Sequence, residues 1–244
     1  MSIKPLLREI LITLCSLFKR DNESKIIFYH DVHHSHEYTP MSTHIELIKS
    51  HFEVAKQLGY KLVNSISAKQ NQLMVCFDDG FKGIWDNREF FVENSVFPTI
   101  FIAVDLIGHD GYLSLDEIKQ LSKLGFRFQA HGWSHSDLTQ FSKDELHKEL
   151  YLARIELEHM TGLKIDEVCF PQGYFSDLVV SEARKSGYAN MYSSDPKPYY
   201  SREVSDIIPR YLVQHASPSQ FKAIVRGGMN VLYKHYYKMH KKQC

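Results

Sequence analysis

The sequence predicts an α/β fold with a parallel sheet, closed as a barrel in preference to an open sheet. Three observations lead there. Short apolar runs alternate with helical patterns from end to end, as right-handed βαβ units require. The count of about seven strand–helix units suits a barrel better than an open sheet. The 244 residues also show no internal repeat, low-complexity run or linker, so they read as one domain, within the range of α/β barrels.

Taken in order, Lys25–Tyr29 is the first strand and ends in His30-Asp31-Val32. After a polar loop to Met41, Thr43-His44-Ile45-Glu46 reads as a capping box, opening a helix that reaches Leu58 and stops at Gly59. Residues 61–63 read as a short strand. Residues 73–77 form the central buried strand, which runs straight into Asp78-Asp79-Gly80. A helix is expected over residues 85–93 and an apolar strand over 98–104. Ser114-Leu115-Asp116-Glu117 is a second capping box, whose helix carries Leu115, Ile118, Leu121 and Leu124 on one face and closes at Gly125. Residues 126–130 form a strand ending at His131. Ser142-Lys143-Asp144-Glu145 is a third box, with a helix running to about Met160 before Gly162. The strand over 168–170 ends at Pro171-Gln172-Gly173. A helix over 178–185 and strands over 189–192 and 207–213 follow. Ser217-Pro218 opens the last helix, with Ser as N-cap and Pro at the first helical position. Residues 193–206, with two prolines and two tyrosines, form a long loop of the kind that often carries function.

Residues 1–24 read as an N-terminal helical extension, 25–232 as the barrel and 233–244 as a basic C-terminal tail. The apolar stretch from Ile10 to Phe18 falls short of the roughly 20 residues a bilayer span needs. It also lacks a small-x-small cleavage site, so it is expected to pack on the body of the protein. Peripheral membrane contact, shared with the tail, is the alternative; a solvated tail is the simpler expectation. With 29 basic and 29 acidic residues, bulk nucleic-acid binding is not expected. Four scattered cysteines without Cys-x-x-Cys spacing point to a reduced, cytoplasmic chain.

The polar residues that could do chemistry share one position. His30, Asp78-Asp79, His131 and Pro171-Gln172 each follow a strand, and in a parallel barrel all strand ends of that sense meet at one rim. Adjacent acids leaving a strand diverge, so one could ligate a metal while the other handles a proton; alone they read equally well as a turn. His131 and His135 stand at i and i+4, on one face of a helical turn, and His30 and His34 repeat that spacing. Asp79, His131 and His135 would supply two nitrogens and one oxygen. Three protein ligands with open positions is the catalytic form of a zinc-type site.

With these motifs the chain resembles the polysaccharide deacetylases, carbohydrate esterase family four. The motifs are Phe77-Asp78-Asp79-Gly80, His131 to His135 with Ser136-Asp137-Leu138, and Phe170-Pro171-Gln172-Gly173. Tyr29-His30-Asp31-Val32, with Met41-Ser42 and Gly59-Tyr60, is similar to the branch that deacetylates poly-N-acetylglucosamine. The resemblance implies a distorted (β/α) barrel and metal-dependent removal of acetyl from an N-acetylated saccharide. It implies Asp78 as general base, Asp79, His131 and His135 as metal ligands, and His30 as general acid. A divalent ion, zinc first with cobalt, nickel or manganese able to use the same ligands, suits an amide carbonyl that needs polarising. Pro171, Gln172 and Gly173 would bind or orient substrate. The sequence departs from the family in lacking the arginine of an Arg-x-Pro-Tyr segment. Arg210, at a late strand, is the candidate replacement, with a surface salt bridge as the plain alternative. Gln172 stands where an aromatic is common, and His215, the late histidine, ranks below His30 as the acid. Two other functions fit the residues: a saccharide-binding protein on the same fold, for which the missing arginine speaks, and a metal amidohydrolase acting on a non-sugar amide.

Overall fold

The computed structural model describes residues 5–18, 21–201 and 207–242. Its sheet contains β1 (Lys25–Tyr29), β4 (Lys61–Val63), β5 (Gln72–Phe77), β6 (Thr99–Ile102), β7 (Arg127–Ala130), β8 (Glu167–Cys169), β9 (Asn190–Tyr192), β10 (Ile207–Ile208) and β11 (Tyr211–Leu212). A separate pair, β2 (Asp31–His33) and β3 (Ser42–His44), flanks it. Every strand pairing is parallel, in the order β10-β9-β8-β7-β6-β5-β1-β11, with β4 beside the start of β5. The two end strands are halves of one extended run. Its first half pairs with β9 and its second with β1, so the run joins the two edges of the curled sheet. Pro209, without an N–H, interrupts the ladder between the halves.

Alternation along each strand divides the core in two, because successive side chains point to opposite faces. Ile27, Tyr29, Leu73, Val75, Phe77, Ile100 and Phe128 face outward into the large cluster under the helices. Ile26, Phe28, Met74, Cys76, Phe101, Cys169, Tyr192 and Ile208 fill the barrel interior. Both faces are buried, which is why these strands read as continuous apolar runs.

The helices are α1 (Pro5–Phe18), α2 (Ile45–Gln57), α3 (Gly83–Asp86), α4 (Arg88–Glu93), α5 (Leu115–Leu124), α6 (Lys143–Leu146), α7 (Ala153–Thr161), α8 (Asp177–Lys185), α9 (Pro218–Val225) and α10 (Tyr233–His240). The capping boxes at Ser114 and Ser142 close on both sides, and so does one at Ser217. The one expected at Thr43 does not. The N-cap there is His44, whose ring accepts from Glu46 N, while the Thr43 hydroxyl donates to Gln214 O. The helix expected over 85–93 breaks at Asn87, whose amide bonds Gly83 O and Val32 O. Between α6 and α7 a π-helical turn spans His147–Leu152.

The C-terminal stretch is not solvated throughout. His240 is buried and its Nδ1 lies 2.8 Å from Asp195 Oδ1, while Lys242 N donates to Phe175 O. The same Asp195 accepts from Ser193, so α10 pins the start of the long loop. Residues 202–206 of that loop lie outside the described residues.

Candidate active site

Asp78 and Asp79 follow β5 at the rim and part company there. Asp78 continues the ladder, its N–H donating to Tyr29 O. Its carboxylate turns into the barrel and takes both arms of Arg210, Nη1 to Oδ1 at 2.7 Å and Nη2 to Oδ2 at 2.8 Å. Arg210 is wholly buried. Its Nε donates to Ser193 O, its Nη2 meets Cys169 Sγ at 2.8 Å, and its carbon centre lies 4.2 Å from the Phe28 ring centroid. Burial works to raise the Asp78 pKa, and the adjacent guanidinium outweighs it, holding the carboxyl below its usual value. Sequence reasoning placed Arg210 only as a candidate; here it occupies the space beside Cys169.

Asp79 takes φ 70° and Gly80 φ 77°, so the chain reverses and Asp79 faces the other way. A left-handed non-glycine residue is uncommon and clusters at sites where the surroundings enforce it. Asp79 Oδ1 lies 3.3 Å from His131 Nε2 and 2.8 Å from His135 Nε2. The ligand atoms of all three residues fall within 4.8 Å of one another. His131 Nδ1 donates to Cys169 O at 2.7 Å, which leaves Nε2 as a lone pair aimed at the site. The i, i+4 histidines do not lie on a helical turn, as the spacing predicted. They sit on a loop in which Gly132 has φ 80° and His135 φ 59°. Glu149, on the π-helical turn, holds that loop through its Oε2, which accepts from Trp133 N and Ser134 N at 3.1 Å each. π-turns of this kind are frequent at functional sites.

These three residues fit a divalent cation. Asp79 Oδ1 is buried and forms no properly directed hydrogen bond, although two imidazole nitrogens lie within contact distance. Converging lone pairs around one point are what a cation needs and what a hydrogen-bond network avoids. Burial opposes the Asp79 charge, and positive charge facing it, as the two imidazoles carry when protonated, lowers its carboxyl pKa. Asp78, His131 and Cys169 also come within ligand distance of one another. That set already holds the Arg210 cation, which opposes a second positive charge.

His30 follows β1, half-buried, with Nδ1 paired to Gln214 Oε1 beyond β11. His215 is exposed and lines a groove against α1. Pro171-Gln172-Gly173 forms a tight turn after β8 with Gln172 at φ 58°. A Cβ on Gly132 would stand 3.8 Å from Pro171, so this turn packs against the histidine loop. Gln172 itself is exposed, and Gly173 is pressed against Ser194. The structure thus brings His30, Asp78, Asp79, His131, His135, Arg210 and the Pro171 turn to one rim, and leaves His215 aside. Gln214, Glu149, Cys169 and the Ser193 carbonyl were not foreseen; each acts through a contact that no local spacing encodes.

Comparison with known proteins agrees with this architecture. The chain spans about half the length of the curated relatives it matches. Among them the peptidoglycan-N-acetylmuramic acid deacetylase PdaA of Bacillus subtilis is 26% identical over 132 residues, covering 52% of this chain and 48% of its own. A polysaccharide deacetylase from Bacillus cereus superposes with a TM-score of 0.71 at 22% identity, over 84% of this chain and 69% of that one. IcaB from Ammonifex degensii superposes with a TM-score of 0.72 at 16% identity, over 85% and 99%. At these identities the two structures speak for the fold. The family model for polysaccharide deacetylase matches residues 65–191, a span holding Asp78, Asp79, His131, His135 and the Pro171 turn while leaving out His30 and Arg210. With just over half of its residues inside that match, the chain belongs to the polysaccharide deacetylase family.

Proposed function

We propose that this chain is a metal-dependent hydrolase that removes acetyl from an N-acetylated saccharide, with zinc as the first ion to test. The observation that carries the reading is Asp79 Oδ1, buried without a directed hydrogen bond and facing His131 Nε2 and His135 Nε2. Those three residues would hold the ion, which when bound polarises an acetyl carbonyl and acidifies water. Asp78 is the general base. Arg210 keeps it ionised and fixes its plane; Oδ2 also faces the Cys169 thiol, so Oδ1 is the oxygen that retains a lone pair for the proton of the attacking water. His30 is the general acid. Gln214 Oε1 accepts from its Nδ1–H, so Nε2 is the nitrogen that delivers a proton to the leaving amine. The turn at Pro171, Gln172 and Gly173 borders the histidine loop and would orient the sugar. The Tyr29-His30-Asp31-Val32 opening favours a poly-N-acetylglucosamine-type saccharide or its precursor, and the unpaired Cys15, Cys76 and Cys169 favour a reducing compartment.

The test is acetate release from a panel of N-acetylated saccharides and simple amides. It uses metal-stripped protein, with and without zinc or cobalt, beside Asp78→Asn. Metal-dependent acetate from the sugars, lost in Asp78→Asn, supports the reading. Acetate from simple amides alone overturns the saccharide assignment, and saccharide binding without acetate overturns the enzyme.

A further inference from the structure

Helix α1 is apolar on two opposite sides. Ile12 and Ser16 are buried against the body, with Leu11 partly covered. Leu7, Ile10, Leu14, Leu17 and Phe18 are 47% to 86% exposed. Their spacing of three and four residues places all five in one stripe along the outer face. A surface helix normally carries one apolar face, the one turned to the core, so a second apolar stripe on the outer side calls for a partner. At 14 residues α1 is about 21 Å long, short of the roughly 30 Å of a bilayer core, and no helix among the described residues is long and apolar enough to cross a membrane.

The charges around the stripe indicate the kind of partner. The sequence puts Lys4 before α1 and Lys19-Arg20 directly after its last residue. Arg8 lies over the ring of Tyr236, which ties α1 to α10. Helix α10 turns its tyrosines toward the body and leaves Lys234, His235, Lys238 and Met239 exposed. Residues 1–20 and 233–242 together hold eight Lys or Arg and a single acid, Glu9; the rest of the chain holds 21 basic and 28 acidic residues. In a chain of zero net charge, the positive excess is therefore gathered, along the sequence, on the segment that contains the apolar stripe and on the segment whose helix meets α1 at Arg8 and Tyr236.

We propose that α1 and α10 dock this protein on an anionic lipid surface, with α1 lying in the interface plane. Leu7, Ile10, Leu14, Leu17 and Phe18 enter the headgroup–acyl boundary, while Lys234 and Lys238 meet anionic headgroups. A second protein copy would satisfy the apolar stripe but would set the two cationic surrounds against each other. The inner side of α1 walls a groove that Gln214 and His215 also line, so docking brings the rim residue paired with His30 close to the lipid surface. The proposal does not depend on the deacetylase reading, because it concerns binding in the absence of turnover.

The full chain is floated with vesicles of phosphatidylcholine, alone and mixed with phosphatidylglycerol, at low and high salt. Binding to the mixed vesicles, weakened by salt, is expected. Ile10→Glu/Leu14→Glu and, separately, Lys234→Glu/Lys238→Glu are each expected to weaken it about tenfold or more. All four side chains are exposed, so melting temperatures should not change; should the first variant misfold, the lysine pair decides. Three results would overturn the proposal: no preference for the anionic vesicles, binding retained in both variants, or a dimer in light scattering that Ile10→Glu/Leu14→Glu dissolves.

Discussion

Two parallel hydrogen bonds, 2.7 and 2.8 Å long, join the wholly buried Arg210 guanidinium to the Asp78 carboxylate, which keeps only 3% of its surface exposed. A buried charge stripped of its partner costs about 3–5 kcal/mol. Arg210→Met is therefore expected to destabilise the fold by that order and to raise the Asp78 pKa, since burial then acts unopposed. Adding Asp78→Asn removes the stranded charge, and the double variant should be more stable than Arg210→Met alone. Chemical denaturation of the wild type, both single variants and the double variant measures the coupling. Equal stability of Arg210→Met and the double variant would rule out the charge partnership.

Zinc should stabilise the protein through Asp79, His131 and His135. A ligand at a hundredfold excess over its dissociation constant adds about 2.7 kcal/mol. Calorimetric scans with zinc and with chelator should differ in the wild type and coincide in Asp79→Ala and His131→Ala. Cys169→Ser should keep the zinc increment, because the alternative donor set containing Cys169 is occupied by Arg210. Loss of the increment in Cys169→Ser would move the ion to the other side of His131.

What could be read in the sequence was whatever local spacing encodes. Asp78-Asp79 and His131 announce themselves because each follows an apolar strand, and parallel strands deliver their ends to one rim. Arg210 could be named only as a candidate, because it reaches Asp78 across 132 positions of chain. Its place depends on the run 207–212 switching partners from β9 to β1, which no periodicity reveals. Glu149 and Gln214 were illegible for the same reason: an acid in a helical stretch and a glutamine after a strand look ordinary until the loops they hold fold beside them. The helical reading of His131 to His135 failed because Gly132 and His135 adopt positive φ, a choice set by Glu149 and the Pro171 turn. The capping box at Thr43 failed because Thr43 lies within β3 and its hydroxyl donates to Gln214 O.

Glu149 should matter to metal affinity without touching the metal. One of its oxygens accepts both amides that lead into His135. Glu149→Leu strands those amides and is expected to cost about 1–3 kcal/mol of stability. Supporting contacts of this kind typically change metal affinity by about 10–100-fold. Glu149→Gln keeps an acceptor oxygen and should lose far less. Chelator competition for zinc distinguishes the two, and wild-type affinity in Glu149→Leu would show that the histidine loop holds itself.

His51 on α2 gives the fold a pH dependence whose sign is fixed by burial. Its ring is out of solvent, stacked 4.3 Å from Phe221, with Nε2 donating to Ala216 O and Nδ1 accepting from the Tyr29 hydroxyl. That arrangement suits the neutral ring, and burial pushes its pKa down to about 4. Above roughly pH 6.5 the ring is neutral in both folded and unfolded chains, and its contribution is fully present. As pH falls from there toward 4, only the unfolded chain takes up the proton, so stability drops by about 1.4 kcal/mol per unit. Asp31 titrates in the opposite sense over much of this range, its buried carboxyl pushed up to about 6. The wild-type curve therefore mixes the two, and His51→Gln isolates one of them. Urea unfolding at pH 7 and pH 5 should show the wild type's advantage over His51→Gln shrinking by roughly 2 kcal/mol on acidification. An advantage that stays constant would mean that the His51 ring accepts its proton inside the folded protein.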